Sequence, residues 1–198
     1  MESANSIDKK LLYSSCYGDL EGVVGALVQG GRVSVRNSQG FTPLLAAAQN
    51  GHTDICGLLL AHGCDANALL NPKHTSLHFA ADRGHEAVVE ALLSWGGAIV
   101  DSHDRQGYTP LLMAIQGGHV ACVLTLLKAG ASLFVGDMFG TLPIHKAAER
   151  NRVEIVRILL DYGCSVDMVS CSENTFLDAL ASLESILIIS HHSQESIG

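Results

Sequence analysis

The sequence predicts an all-α solenoid of short, stacked helical hairpins. A short motif that begins at Gly40 returns with variations at Lys73, Gly107 and Gly140. A pair of leucines follows each copy, and successive pairs are 33, 34 and 33 residues apart. A fixed period of this size is typical of repeat proteins, in which neighbouring units share one continuous core. The composition agrees, since 47% of the residues are hydrophobic and only 5% are aromatic, which suits closely packed short helices.

Each copy contains the start and stop signals of two helices. In the first clear copy, Thr42 can cap a helix and Pro43 fits its first position, where a missing N–H leaves no hydrogen bond unmade. Gly51 suits the left-handed turn that ends this helix. The apolar run over residues 55–60 predicts a second helix, which ends at Gly63. One hairpin cannot bury both of its faces, so neighbouring hairpins must stack.

The unit resembles the ankyrin repeat, whose signature is a turn, then T-P-L-H-x-A-A, a G-H pair, and a second helix ending in G-A-D. This chain has G-F-T-P-L-L-A-A-A-Q-N-G-H from Gly40 and G-Y-T-P-L-L-M-A-I-Q-G-G-H from Gly107. The resemblance extends over residues 8–181. It implies an ankyrin-repeat α-solenoid of helix-turn-helix units joined by β-turn or hairpin loops.

We expect residues 1–181 to form a single ankyrin-repeat domain. The predicted repeats are residues 8–39, 40–72, 73–106, 107–139 and 140–172, with an incomplete sixth at 173–190 and a polar C-terminal tail at 191–198. The third repeat is one residue longer than its neighbours, which predicts a bulge near Gly97. The incomplete repeat carries an apolar stretch near Ile186, so self-association through the C-terminal end is an open alternative.

Charge and hydropathy argue against several classes of partner. The formal net charge is −8 and the basic residues are scattered, so we expect no nucleic-acid partner. No apolar run approaches the roughly 20 residues of a membrane span, so we expect no membrane partner. The polar residues 1–8 are not followed by the apolar core of a secretory signal. These features predict a cytoplasmic protein, with the nucleus as the alternative compartment.

The sequence contains no recognisable catalytic arrangement. It has no carboxylate pair suited to acid–base chemistry, no phosphate-binding glycine loop, no nucleophile elbow and no cysteine or histidine at zinc-ligand spacing. The histidines His52, His78, His85, His119 and His145 occupy the G-H and T-P-L-H positions of the family. The resemblance implies that they bind loop backbone between repeats. We therefore expect no enzyme activity, no metal site and no cofactor.

The resemblance also implies that a partner protein binds a concave groove, which is formed by the turn tips and the exposed ends of the first helices. The corresponding partner-binding positions are Ser38, Gln39, Phe41, Asn71, His74, Arg83, Arg105, Gln106, Tyr108, Met138, Phe139 and Arg150. Aromatic side chains are unusual on such tips, and binding hot spots favour aromatic and arginine residues. Two alternatives remain for these rings: contact with a partner, or packing against the adjacent tip.

The leading functional hypothesis is a non-catalytic protein–protein interaction scaffold that holds an extended peptide or a helix in this groove. A first alternative is a regulatory array separated from a larger adaptor, signalling or enzyme-linked protein. A second alternative is a substrate of asparagine hydroxylation. Asn67 lies in the pattern L-x5-D-A-N, which resembles the context of asparagine hydroxylation in ankyrin repeats.

Overall fold

The computed structural model describes residues 4–70 and 73–164, which form ten helices paired into five hairpins. The pairs are α1 (Ala4–Tyr17) with α2 (Leu20–Val28), α3 (Pro43–Gln49) with α4 (Thr53–Ala61), α5 (Ser76–Arg83) with α6 (Glu86–Ser94), α7 (Pro110–Gly117) with α8 (Val120–Lys128), and α9 (Pro143–Glu149) with α10 (Val153–Asp161). Within the described residues there is no β-strand, only an isolated bridge between Leu70 and His74. The all-α prediction is therefore confirmed for this part of the chain. The predicted sixth repeat, the tail and Asn71 lie outside the described residues.

The helices stack in two parallel rows. An inner row consists of α1, α3, α5, α7 and α9, each in contact with the next, and an outer row consists of the even-numbered helices. Small side chains such as Ala47 and Ala80 are fully buried in the inner row, where they allow neighbouring helices to approach closely. Leu59, Leu92 and Leu126 of the outer row are also fully buried. The repeating leucines therefore form one continuous core along the stack.

The helix ends follow the predicted signals. The Thr42 hydroxyl accepts a hydrogen bond from the Leu45 N–H at 3.3 Å, with Pro43 as the first helical residue. Gly51 has φ of 78°, and a side chain there would also come within 2.7 Å of the His85 ring. Glycine is required at this position for both reasons. Because such signals recur in successive repeats, the helices from α3 to α10 are all 7 to 9 residues long.

The extra residue of the third hairpin lies in the turn directly after α6. In the second repeat the Cys64 N–H donates to the Leu59 carbonyl, five residues earlier. In the third repeat the equivalent bond joins the Ala98 N–H to the Leu92 carbonyl and spans six residues. Gly97 has φ of 60° beside this bond. The predicted bulge near Gly97 is confirmed, and the stacking of the next repeat is undisturbed.

The first described hairpin is closed by an internal ion pair. The helix α1 begins at Ala4, ahead of the predicted start of the first repeat at residue 8. The buried carboxylate of Asp8 accepts hydrogen bonds from the Arg32 backbone N–H at 2.9 Å and from its guanidinium at 2.6 and 2.8 Å. These hydrogen bonds hold the pKa of Asp8 below its ordinary value. The loop after α2 is thereby fixed to α1.

The start of α5 offers a test of these local rules. Ser76 occupies the position of Pro43 and Pro110, and its buried hydroxyl has no hydrogen-bond partner. Thr75 has φ and ψ of −97° and 171°, close to the −88° and 164° of Thr42, which precedes a proline. Proline therefore fits position 76 without backbone strain.

We expect Ser76→Pro to raise the free energy of unfolding by about 1–2 kcal/mol. It restricts the unfolded chain and removes an unsatisfied buried hydroxyl. Urea unfolding followed by circular dichroism measures the change. Ser76→Ala, which removes only the hydroxyl, should give a smaller gain. A less stable proline variant would contradict this account of the helix start.

Candidate functional site

Three of the described turns between repeats are held rigid by an Asn or Asp side chain, which is exposed in Asn37 and buried in Asp104 and Asp137. The Asn37 Oδ1 atom accepts hydrogen bonds from the backbone N–H groups of Gln39 at 3.0 Å and Phe41 at 2.9 Å. Asp104 and Asp137 make the same two bonds in the turns before α7 and α9. The backbone of these three turns is therefore fixed before any partner binds.

The structure places most of the predicted partner-binding residues on the surface. The exposed members are Ser38, Gln39, Arg83, Arg105, Gln106, Met138, Phe139 and Arg150. Phe41, His74 and Tyr108 are half-buried, and Asn71 lies outside the described residues. Their location on turns and on the ends of inner-row helices matches the expectation, whereas partner binding itself stays a prediction.

Phe41 and Tyr108 pack against the following repeat. The Phe41 ring lies 5.8 Å from the ring of Phe79 in α5. The Lys146 ammonium group in α9 lies 5.6 Å from the centre of the Tyr108 ring, within cation–π range. Both rings therefore pack on an inner-row helix of the following repeat, and not on the adjacent turn tip that the second alternative named.

Met138 and Phe139 remain accessible. Their exposed fractions are 64% and 73%. Their turn is fixed by Asp137, and the Met138 N–H also donates to the Gln106 carbonyl of the preceding turn at 2.8 Å. Large apolar side chains on a rigid, exposed backbone are well suited to contact another protein.

Lys146 is a site residue that the sequence analysis missed. Its ammonium group is buried, 3.0 Å from Glu149 Oε2 and 3.8 Å from Asp137 Oδ2. Burial acts to lower the pKa of Lys146, but the Glu149 hydrogen bond and the nearby Tyr108 and Glu149 raise it above its ordinary value. Lys146 and Phe79 both occupy the x of T-P-L-H-x-A-A. That shared position is the signal that could have identified them.

A cleft lies between α1, the first turn and α3. Tyr13 and Tyr17 are exposed and stack with their ring centres 6.3 Å apart. With Ser38, Gln39 and Phe41 they line a cavity of about 570 Å³, which we call the tyrosine cleft. Neither tyrosine was among the predicted site residues, although their spacing of four residues on a helix places them on one face.

Three of the family-position histidines link consecutive repeats. The Nε2 atoms of His52, His85 and His119 lie 3.0, 3.2 and 2.8 Å from carbonyl oxygens of the preceding repeat. A carbonyl only accepts, so Nε2 carries the proton in each bond. In the fifth repeat, the Arg152 guanidinium donates to the Gln116 and Gly117 carbonyls instead. The predicted role in binding backbone between repeats is confirmed for these three histidines.

His78 links its repeat to the following turn. Its Nδ1 atom accepts from the Thr75 N–H at 3.2 Å, and its Nε2 atom lies 3.0 Å from the Tyr108 carbonyl. Burial lowers the pKa of His78 to about 4 and outweighs the Tyr108 carbonyl and Asp104, which act in the opposite direction. His78 is therefore neutral at physiological pH and holds the Tyr108 turn in place.

The thiols of Cys56 and Cys122 are buried and unreactive. Burial raises the pKa of Cys56 to about 12 and that of Cys122 to about 11, so both are protonated at neutral pH. Residues 4–70 and 73–164 contain no group of three or more histidine, cysteine or carboxylate side chains placed to hold a metal ion. In the same residues, no helix has the length and hydropathy of a membrane span.

Asn67 supports the contact between the second and third repeats. Its amide nitrogen donates to the Gly97 carbonyl at 3.1 Å, and its amide oxygen accepts from the Ile99 N–H at 2.9 Å. Both ends of the side chain therefore hold the loop that contains the bulge. Hydroxylation of Asn67 stays a prediction.

Comparisons with known proteins agree with this architecture. A family model described as ankyrin repeats (three copies) matches residues 11–104, 58–137 and 96–170. The chain is 35% identical over 153 residues to the ankyrin repeat and KH domain-containing protein mask-1 of Caenorhabditis elegans, which is 76% of this chain and 6% of that protein. It is 34% identical over 110 residues to ankyrin repeat and SOCS box protein 11 of Homo sapiens, which is 56% of this chain and 33% of that protein.

A third relative is the transient receptor potential cation channel subfamily A member 1 homolog of Caenorhabditis elegans, 28% identical over 129 residues, which is 65% of this chain and 11% of the channel. The chain thus spans a third or less of the length of these relatives. The family match covers most of the repeats described above. The chain belongs to the ankyrin-repeat family.

The buried His78 predicts a loss of stability in mild acid. Unfolded histidine binds a proton near pH 6.5, whereas folded His78 binds one near pH 4. Between these values the unfolded chain holds more protons, so the free energy of unfolding falls as the pH falls. The shift corresponds to at most about 3 kcal/mol. Urea unfolding at pH 7.5, 6 and 5 should show a smaller loss for His78→Gln than for the natural chain.

The exposed His62, which is not among the groups that shift the pKa of His78, provides the matched control. The variant His62→Gln should keep the pH dependence of the natural chain, since the ring is outside the core. Equal pH dependence in His78→Gln and in the natural chain would exclude His78 as the group responsible.

Proposed function

We propose that the chain is a non-catalytic protein-interaction scaffold that holds an extended peptide or a helix of a partner protein along its inner row. The observation that carries this proposal is the exposure of Met138 and Phe139 on a turn whose backbone is already fixed by Asp137. Because this backbone is already ordered, the turn loses little backbone freedom on binding, and the two side chains bury apolar area. The known contribution of aromatic anchors to interfaces supports the same conclusion.

The tyrosine cleft offers a second anchoring point at the other end of the inner row. Inner-row helices α1 and α9 are four steps apart in the stack, or about 32–40 Å at typical helix spacing. An extended peptide of about 10–12 residues covers this distance. Between the two anchors, the exposed Arg83, Arg105 and Gln106 offer donors to the carbonyl groups of such a peptide.

A peptide selection tests this proposal. A phage library of random peptides, each of about 16 residues to exceed the span above, is selected on the immobilised protein. We expect the recovered peptides to bind Met138→Ser/Phe139→Ser or Tyr13→Ser/Tyr17→Ser at least about tenfold more weakly, since one hot-spot residue contributes about 2 kcal/mol. Titration calorimetry measures the affinities.

Val28→Ser is the control, because Val28 is exposed on the outer row. This variant should bind the selected peptides as the natural chain does. Urea unfolding confirms that every variant is folded. Peptides that lose affinity for Val28→Ser but bind both inner-row variants normally would place binding elsewhere and refute the proposal.

A second candidate function is that of a recognition unit within a larger protein. It is favoured by the relatives, whose names include a KH domain and a SOCS box and whose lengths greatly exceed the matched region. In this case the same inner row selects the partner, and an attached domain acts on it. Full-length transcript sequencing tests whether the reading frame encodes such a domain.

The asparagine-hydroxylation hypothesis rests on the sequence around Asn67. We expect a fraction of the protein purified from its own cells to carry the mass of one added oxygen atom, and peptide mapping to place that atom on Asn67. Asn37 has a different sequence context and serves as the internal control. An unmodified Asn67 in all preparations would end this hypothesis without affecting the proposal of partner binding.

A further inference from the structure

The outer helix α2 presents an apolar row to solvent. Leu20, Val24 and Val28 are four residues apart, which places them on one face of the helix. Their exposed fractions are 42%, 44% and 82%. The same helix buries Val23 and Ala26 in the core, so α2 is apolar on two faces and only one of them is covered.

A tryptophan extends this apolar surface across the outer row. Trp95 follows α6 and is 72% exposed, and its ring lies against α4 at Gly57. A side chain on Gly57 would come within 3.2 Å of the indole, so glycine allows the ring to lie there. With Leu20, Val24 and Leu58 these residues form a shallow cavity of about 500 Å³, which we call the tryptophan groove.

The helices around the tryptophan groove carry charge of one sign. The exposed carboxylates on α2, α4 and α6 are Glu21, Asp54, Glu86 and Glu90. These three helices contain no lysine or arginine. The negative field around an apolar groove attracts cations and repels phosphate groups and acidic proteins.

We propose that the tryptophan groove is a second docking site, which takes a basic amphipathic helix of a partner protein. The apolar face of that helix packs on Leu20, Val24 and Trp95, and its lysine or arginine side chains pair with the surrounding carboxylates. From α2 to α6 the surface extends about 16–20 Å, the length of a helix of about 11–13 residues. A second copy of this chain is disfavoured, because its formal net charge is −8.

This site is independent of the proposed inner-row function. The turn tips pack on inner-row helices, as the contacts of Phe41 with Phe79 and of Tyr108 with Lys146 show. The tryptophan groove is formed by α2, α4 and the residue after α6, on the outer row. Two occupied rows would allow the chain to bring two different partners together.

Trp95 is the only tryptophan of the chain, so its fluorescence reports directly on the groove. The probe is a synthetic peptide of about 18 residues, five helical turns, with leucines on one face and lysines elsewhere. We expect it to shift the Trp95 emission to shorter wavelength, to saturate at one peptide per chain, and to bind more weakly as salt is added. Peptides with glutamate in place of lysine, or with the same residues in scrambled order, should give little shift.

Variants separate specific docking from general attraction to an acidic protein. Val24→Asp should weaken binding of the lysine peptide at least tenfold, because it places a charge in the apolar contact. Asp54→Lys should weaken it several-fold and improve binding of the glutamate peptide. Asp161→Lys, on the outer helix α10, makes the same change in net charge away from the groove and should alter neither affinity.

The opposite results would overturn the proposal. It fails if the lysine peptide leaves the Trp95 emission unchanged, or if Val24→Asp and Asp54→Lys bind it as the natural chain does. If the Trp95 emission shifts as the protein concentration rises without any peptide, the tryptophan groove binds a second copy of the chain. If the emission shifts when vesicles of anionic lipid are added, the groove binds a membrane. Loss of binding in Met138→Ser/Phe139→Ser would place the peptide on the inner row instead.

Discussion

The structure depends on the incompleteness of each hairpin. An isolated pair of short helices leaves one apolar face and several carbonyl groups without partners, and both are satisfied by the next pair. The hydrogen bonds of His52, His85 and His119 to carbonyls of the preceding repeat show the polar side of this requirement. Arg152 makes equivalent bonds with a different side chain, so the constraint is the unpaired carbonyl and not the imidazole. Stability is therefore shared between neighbours along the stack.

The elements that local chemistry determines could be predicted from the sequence. Helix starts at Thr42 and Thr109, and the glycine after the helix at Gly51, follow from hydrogen-bond and backbone rules that involve only a few consecutive residues. The period then fixes which residues face the core. The bulge at Gly97 could also be located, because an insertion in a regular array must fall in a loop.

Whether the ring of each turn is packed or exposed could not be predicted in the same way, because it depends on a residue in the following repeat. Phe41 is half-buried because Phe79 lies beside it, and Tyr108 because Lys146 does. Phe139, in the turn before α9, is exposed. Phe79 and Lys146 occupy the variable position of the T-P-L-H-x-A-A signature, which the family pattern leaves free. Reading that position one repeat ahead would have identified Phe41 and Tyr108 as packed rings.

The two rows differ in what they offer to other molecules, and the difference arises from their construction. The inner row is joined by turns that Asn37, Asp104 and Asp137 hold rigid, so its exposed groups are fixed in direction. Among the described residues, the accessible features of the outer row are helix faces. A rigid row of turn tips suits an extended peptide, whose backbone needs aligned partners, whereas a helix face suits another helix. The stack needs only the buried faces of its helices, so the exposed faces of both rows are free to vary. On the outer row, the exposed Trp95 places an apolar ring at a helix end, where a polar side chain would suit contact with solvent.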